Sequence, residues 1–257
     1  MRRVRTTGRI FGCLFLAVLV LSLAAGAQQA EKRKMEFMDV LRLRSAAAAS
    51  ISPDGQHVVY TVSELNWKEG RRFTDIWMAP TDGSAAPRQM TFTPDKNESD
   101  PEWARDSRHI AFLSARDGRQ QVYLMRIDGG EARQVSEHKD GANRFAFSRD
   151  GNWLAFSAGK PEERQLWLLN LRDTDAKPVQ LTKHETPVQD WAWSPDSSRI
   201  FFTAPDAVDK DNLKRKEKKF DVRIVDEPEP PSHLWSVTVT DKLERRWTEG
   251  AVWGVRE

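Results

Sequence analysis

An antiparallel β-propeller is the fold class this sequence predicts, and three observations predict it. A phrase built from an apolar residue, an Asp-centred turn and a second apolar run occurs four times. Its copies keep the spacing of a blade: the shared acids Asp54, Asp106, Asp150 and Asp196 stand 52, 44 and 46 residues apart. A repeat of roughly 40–50 residues is the length of one four-stranded propeller blade. Two further strand-like runs follow every copy in the same order, which makes four units of four strands and an all-β chain.

The residues of the turn explain it. The copies read Ile51-Ser52-Pro53-Asp54-Gly55, Trp103-Ala104-Arg105-Asp106-Ser107, Phe147-Ser148-Arg149-Asp150-Gly151 and Trp193-Ser194-Pro195-Asp196-Ser197. Pro presets the φ of a type I turn, Asp bonds back to a nearby amide, and Gly accepts the positive φ through which the next strand resumes. Apolar runs on both sides, such as Trp191-Ala192-Trp193 before and Ile200-Phe201-Phe202 after, make the phrase a hairpin. The third strand of each unit is expected at residues 75–78, 122–125, 165–168 and 233–237, and the fourth at 88–91, 133–136, 179–182 and 245–248. The blades therefore span 49–91, 100–136, 144–182 and 190–248, inside a propeller region of 49–257. Sheets this narrow cannot bury both faces alone, so they must stack around an axis. Ten Trp and twelve Phe supply bulk, and Trp77, Trp153, Trp167, Trp191 and Trp193 are read as blade-to-blade packing.

The first 27 residues are of a different composition. Arg2, Arg3, Arg5 and Arg9 precede an apolar stretch over 10–23, and Ala25-Gly26-Ala27 offers a small-residue cleavage site. The stretch is too short to span a bilayer, so residues 1–27 read as a signal peptide cleaved after Ala27, and the mature protein as secreted or periplasmic. Residues 28–48 form a lead-in with a short helix. Cys13, the single cysteine, sits early in the apolar stretch rather than at its end, which argues against a lipid anchor, and the mature chain then has no disulfide framework. Removing the leader leaves 36 Lys and Arg against 38 Asp and Glu. No basic footprint for nucleic acid remains, and no membrane association is expected after cleavage.

No catalytic, cofactor-binding or metal-binding residue is expected. Only Gly8 with Gly12 and Gly250 with Gly254 have the spacing of a Gly-x-Ser-x-Gly elbow, and their central residues are Ile10 and Val252. His57, His109, His138, His184 and His233 form no His-Glu-x-x-His pair. His57 and His109 occupy equivalent places before a second strand, where a polar residue faces water. The four turn acids are one per blade, too dispersed to converge on calcium. Gly follows Asp directly in the turn, unlike the Asp-x-Gly of a sialidase Asp box. The longest departure from the repeat, residues 209–231, is charged and ends in Glu227-Pro228-Glu229-Pro230-Pro231. It reads as a solvated excursion or as an extended hairpin that meets a partner domain or rims an opening.

Several phrases in order carry a resemblance. They are Met38-Asp39-Val40-Leu41-Arg42-Leu43-Arg44, Ser63-Glu64-Leu65-Asn66-Trp67, Asp75-Ile76-Trp77, Ser99-Asp100-Pro101-Glu102-Trp103, Ala111-Phe112-Leu113-Ser114, Val225-Asp226-Glu227 and His233-Leu234-Trp235. Together they resemble the amino-terminal propeller of secreted prolyl oligopeptidase-family serine peptidases, in the acylaminoacyl-peptidase and dipeptidyl-peptidase branch. The Ser-Pro-Asp-Gly turn alone is shared with TolB-type propellers. The resemblance implies a seven-bladed ring that covers a carboxy-terminal α/β-hydrolase domain and admits short peptide substrates to it. Four blades are present here and that domain is not. After Thr248 nine residues remain, so the sequence reads as a fragment or truncated frame. The expected function is the substrate-gating propeller portion of an exported serine peptidase, itself without a catalytic triad. The alternative is a stand-alone TolB-like periplasmic propeller that binds proteins.

Overall fold

The structure is a computed structural model that describes residues 33–93, 95–207 and 230–250. The leader with Cys13, most of the 209–231 excursion and the last seven residues lie outside the described residues. Two compact units divide the chain, Met1–Leu41 and Arg42–Glu257. Helix α1 (Phe37–Arg42) carries Asp39 in its first turn, where its Oδ2 accepts the amide of Glu36 at 2.9 Å and its carboxylate pairs with Arg33.

The second unit holds four antiparallel sheets in chain order, each a simple meander. The first comprises β1 (Ser45–Ile51), β2 (His57–Asn66), β3 (Arg71–Pro80) and β4 (Arg88–Gln89). The second comprises β5 (Glu98–Trp103), β6 (His109–Ser114), β7 (Gln121–Arg126) and β8 (Arg133–Gln134). The third comprises β9 (Ala142–Phe147), β10 (Trp153–Ala158), β11 (Gln165–Asn170) and β12 (Val179–Gln180). The fourth comprises β13 (Trp191–Trp193), β14 (Arg199–Pro205), β15 (Ser232–Thr238) and β16 (Glu244–Arg246).

The outer strands are shorter than the sequence predicts, for a repeated reason. A hydroxyl two residues past each short strand takes over the next ladder bond. Thr91, Ser136, Thr182 and Thr248 accept the amides of Ile76, Val122, Leu166 and Leu234 at 2.8–2.9 Å. The backbone donor is satisfied, as a buried amide must be, but by a side chain rather than a strand.

The hairpin turns follow the expected chemistry with one difference. Ser52 Oγ donates to Asp54 at 2.6 Å and accepts the amide of His57 at 2.9 Å, and Ser148 and Ser194 do the same in their turns. Gly55 and Gly151 take φ of 72° and 73°, the left-handed region that glycine enters without strain. In the other two copies a serine enters it instead, Ser107 at 54° and Ser197 at 59°. Their hydroxyls reach the neighbouring turn: Ser107 Oγ accepts the amide of Asp54 and Ser197 Oγ that of Asp150, both at 3.1 Å.

Successive sheets pack face to face with a fixed direction. Register aligns Val58, Ile110, Leu154 and Ile200, and two residues further on Tyr60, Phe112, Phe156 and Phe202. Cross-strand partners of the latter four are Trp77, Tyr123, Trp167 and Trp235. The second, third and fourth of these ring pairs are stacked, with centroids 5.9, 6.4 and 6.5 Å apart. In the second, third and fourth sheets these side chains lie on the face turned toward the preceding sheet. Ile110 and Phe112 pack with Val59, Ile76 and Met78 of the first sheet; Leu154 and Phe156 pack with Ala111, Leu113 and Val122 of the second; Ile200 and Phe202 pack with Ala155, Leu166 and Leu168 of the third. Each seam thus sets bulky rings against smaller aliphatic residues, which lets the layers interdigitate at interior density.

Two faces lack such a partner in the core. On the first sheet Ile51 is 66% exposed and Val58 and Tyr60 are only partly buried, whereas their counterparts Ile110 and Phe112 are sealed. On the fourth, Phe201 and Leu234 are partly exposed where the equivalent Ala155 and Leu166 are buried. Among the described residues no core cluster joins the fourth sheet to the first.

Candidate functional site

A meander places alternate connections at opposite ends of its sheet. The Asp-centred turns and the β3–β4 type turns share one end. The β2–β3 type loops and the sheet-to-sheet connections share the other, and the 209–231 excursion joins β14 to β15 at this second end. At its base the amide of Asp206 donates to the carbonyl of Pro231 at 2.9 Å.

The first end is structural in its chemistry. Asp54, Asp150 and Asp196 each accept a serine hydroxyl and a backbone amide of their own turn. Such bonds favour the charged carboxylate, and all three are held below the usual range, Asp196 at about 2. Asp106 lacks the serine and instead meets His109 Nδ1 at 2.6 Å. Adjacent turns touch, and among the described residues no three His, Cys, Asp or Glu side chains gather to hold a metal ion.

The histidines behave differently from the expectation that His57 and His109 face water. Both are half-buried; the His57 ring lies 6.3 Å from Trp103 of the next sheet, with Nδ1 buried and unpartnered. His184 bridges a seam, pairing with Glu244 at 2.8 Å and meeting Trp235 edge-on at 4.5 Å. His233 is sealed at the start of β15, bonded to Thr248, with Nε2 3.3 Å from Asp206 but not aligned for a hydrogen bond. His138 packs edge-on against Trp167.

Two clefts open at the second end. One, of about 440 Å³, lies between the second and third sheets and gathers Arg119, Lys160 and Arg164. The other, of about 270 Å³, lies at the first sheet and is lined by Glu64, Phe73, Asp75, Phe92 and Asp95. Beside it lies an unusual pair of carboxyls. Asp75 opens the central run of β3, and Glu98, fully buried, opens β5 of the next sheet. Glu98 Oε1 accepts Ser114 Oγ at 3.1 Å and the Arg116 guanidinium at 3.0 Å, while Oε2 is buried with no partner. Burial first, and then the negative charge of Glu98, push the Asp75 carboxyl up to about 6.

None of these residues was singled out by sequence. The available signal was positional: Asp75 stands where the other sheets carry Gln121, Gln165 and His233. Gln121 and Gln165 each clasp the serine or threonine two residues past the fourth strand and the backbone beyond it.

Known proteins supply the context for this geometry. No family model matches the chain. It is 26% identical over 211 residues to the uncharacterized peptidase YuxL of Bacillus subtilis, covering 67% of this chain and 31% of that protein. It is 29% identical over 119 residues to dipeptidyl-peptidase 5 of Porphyromonas endodontalis, covering 46% of this chain and 17% of the relative. The chain therefore spans about a third or less of the length of these relatives. Among solved structures it is similar to the β-propeller domain of the Trilobed protease from Pyrococcus furiosus, with a TM-score of 0.54 at 12% identity, covering 80% of this chain and 57% of that one. The protein is thus a run of β-propeller blades whose curated relatives include peptidases, in keeping with its resemblance to the propellers of prolyl oligopeptidase-family enzymes.

Proposed function

We propose that the chain is the substrate-gating propeller portion of an exported serine peptidase. The observation that carries this reading is the 26% identity to a peptidase over 67% of the chain. The two under-packed faces support it, since each is shaped like one half of a blade seam and would be covered by further blades of a larger ring. In the whole protein an α/β-hydrolase domain would supply a Ser hydroxyl, activated by His and oriented by Asp, to attack a peptide carbonyl. The propeller would restrict access to that centre by size, leaving the chain itself inert toward peptides.

Two measurements test the reading. The gene is read past codon 257, where further Asp-centred blade turns followed by a Gly-x-Ser-x-Gly elbow are expected. The purified chain is treated with a fluorophosphonate, which is expected to leave it unlabelled. Labelling of folded chain overturns the inert role. A stop codon at that point overturns the gating role and leaves the stand-alone, TolB-like binding propeller.

A further inference from the structure

The geometry points to a proton-dependent clasp at the seam between the first and second blades, in which Asp75 and Glu98 share a single proton. The argument begins with the position of Asp75 in the repeat. In the second and third sheets the equivalent residues, Gln121 and Gln165, present an amide that both accepts and donates. Each takes the serine or threonine hydroxyl on its oxygen and gives its nitrogen to a backbone carbonyl, of His138 and His184 respectively. The fourth sheet uses His233, a ring that also carries a proton. Asp75 accepts the Thr91 hydroxyl at 3.3 Å, as its counterparts do, but an ionised carboxylate has nothing to donate.

What lies opposite completes the case. Glu98 is sealed from solvent, its Oε1 already satisfied by Ser114 and Arg116, its Oε2 buried and empty of donors. A buried acceptor without a donor is costly, and two carboxylates in hydrogen-bonding range do not both ionise readily. A proton on Asp75, donated to Glu98, removes both penalties; the amide of Thr74, beside Asp75, donates to Asn97 Oδ1, beside Glu98, at 3.0 Å, which holds the two segments together. The Arg116 guanidinium lies 3.0 Å from Glu98 Oε1. The other charges facing Asp75 are Glu64 on β2, itself paired with Arg44 at 3.1 Å, and Asp95 at the cleft wall. The charge of Glu64 favours the protonated form of Asp75. The cleft opens above Asp75, which gives solvent protons a path to the pair. The seam is therefore clasped in mildly acidic conditions and carries an unrelieved pair of like charges at neutral pH.

The sign follows from linkage. A carboxyl whose folded-state affinity for a proton exceeds its unfolded value stabilises the fold at low pH, and the contribution is lost as pH rises through the folded-state midpoint. The test is thermal unfolding of the full chain from about pH 5 to about pH 7.5, together with carboxyl-carbon NMR titration of Asp75. The melting temperature is expected to fall by about 3–6 °C across this range. Asp75→Asn, whose amide donates at every pH, is expected to abolish the fall and to melt above the parent at the upper end. Glu64→Gln is expected to keep the fall, because it leaves the pair in place. A parent whose melting temperature is level across the range, an Asp75→Asn chain with an unchanged fall, or an Asp75 carboxyl that titrates like a free aspartate would each overturn the clasp.

Discussion

Consider Phe156→Ala beside Tyr60→Ala, two substitutions at one register position of the repeat. Phe156 is 1% exposed, stacked on Trp167 at 6.4 Å, and lies in the cluster that joins the second and third sheets. Truncating a sealed Phe costs about 3–5 kcal/mol in transfer and cavity terms, and loss of the ring pair adds roughly 0.5–1.5 kcal/mol. Tyr60 has the same backbone place and a ring partner across the strand, Trp77, but its face has no sheet against it and it is partly exposed. Removing a side chain that recovers only part of its burial costs about 1–2 kcal/mol. Urea unfolding of the parent and both variants, followed by tryptophan fluorescence, measures the difference. The expected ratio is at least about two to one in favour of Phe156. Equal losses, or a larger loss at Tyr60, would refute the view that the seams are directional and that the first sheet's forward face is uncovered in this chain.

Three further outcomes are expected. Gly151→Ala should destabilise more than Gly55→Ala: both glycines have positive φ, but a Cβ at Gly151 would stand 3.0 Å from Cβ of Arg105 while none would meet Gly55; about 1 kcal/mol of backbone strain is common to both, and thermal melts read the excess. Trp103→Phe should cost about 1 kcal/mol or somewhat more by the same assay, because the indole nitrogen donates to the carbonyl of Ser50 across the first seam at 2.9 Å and leaves it unpaired when removed. Asp196→Asn should blunt acid unfolding: the Asp196 carboxyl is held at about 2 by Ser194 and Ser198, so its contribution is present above the ordinary aspartate range and is lost as the pH falls from about 4 toward 2. A melting profile of the Asn variant that still falls as steeply as the parent's over that interval would count against the turn bonding.

How much of this the sequence disclosed depends on the range of the interaction. The turns were legible because Ser-Pro-Asp-Gly chemistry is local: every bond that Asp54 or Asp150 accepts within its hairpin spans two residues. Strand identity was legible too, since Leu154-Ala155-Phe156 alternates its faces at the period of a strand. The serines at positive φ were not, because Ser107 and Ser197 hold that conformation while their hydroxyls bond a neighbouring turn 53 and 47 residues away in sequence. The acidic pair escaped for the same reason. Asp75 and Glu98 belong to strands of different sheets, 23 residues apart in sequence; Asp75 was read only as part of the Asp75-Ile76-Trp77 phrase and Glu98 in no phrase at all. His57 was misjudged as solvent-facing because its surroundings include Trp103, which only the stacking of the second sheet brings near.

The alternation of seam bonds bears on descent. Trp103 and Trp193 send their indole nitrogens back to Ser50 and Ala146, and Ser107 and Ser197 bond the amides of Asp54 and Asp150; the first and third blades carry Ile51 and Gly55, Phe147 and Gly151 at those places. The chemical repeat is accordingly two blades long, although the topological repeat is one. A gene that lengthens by copying such a pair inherits donor and acceptor together and needs no compensating mutation. Copying the second blade alone would set a serine side chain against Arg105, where Gly151 now fits with no room to spare. Two-blade copies would therefore keep every one of these seam bonds intact.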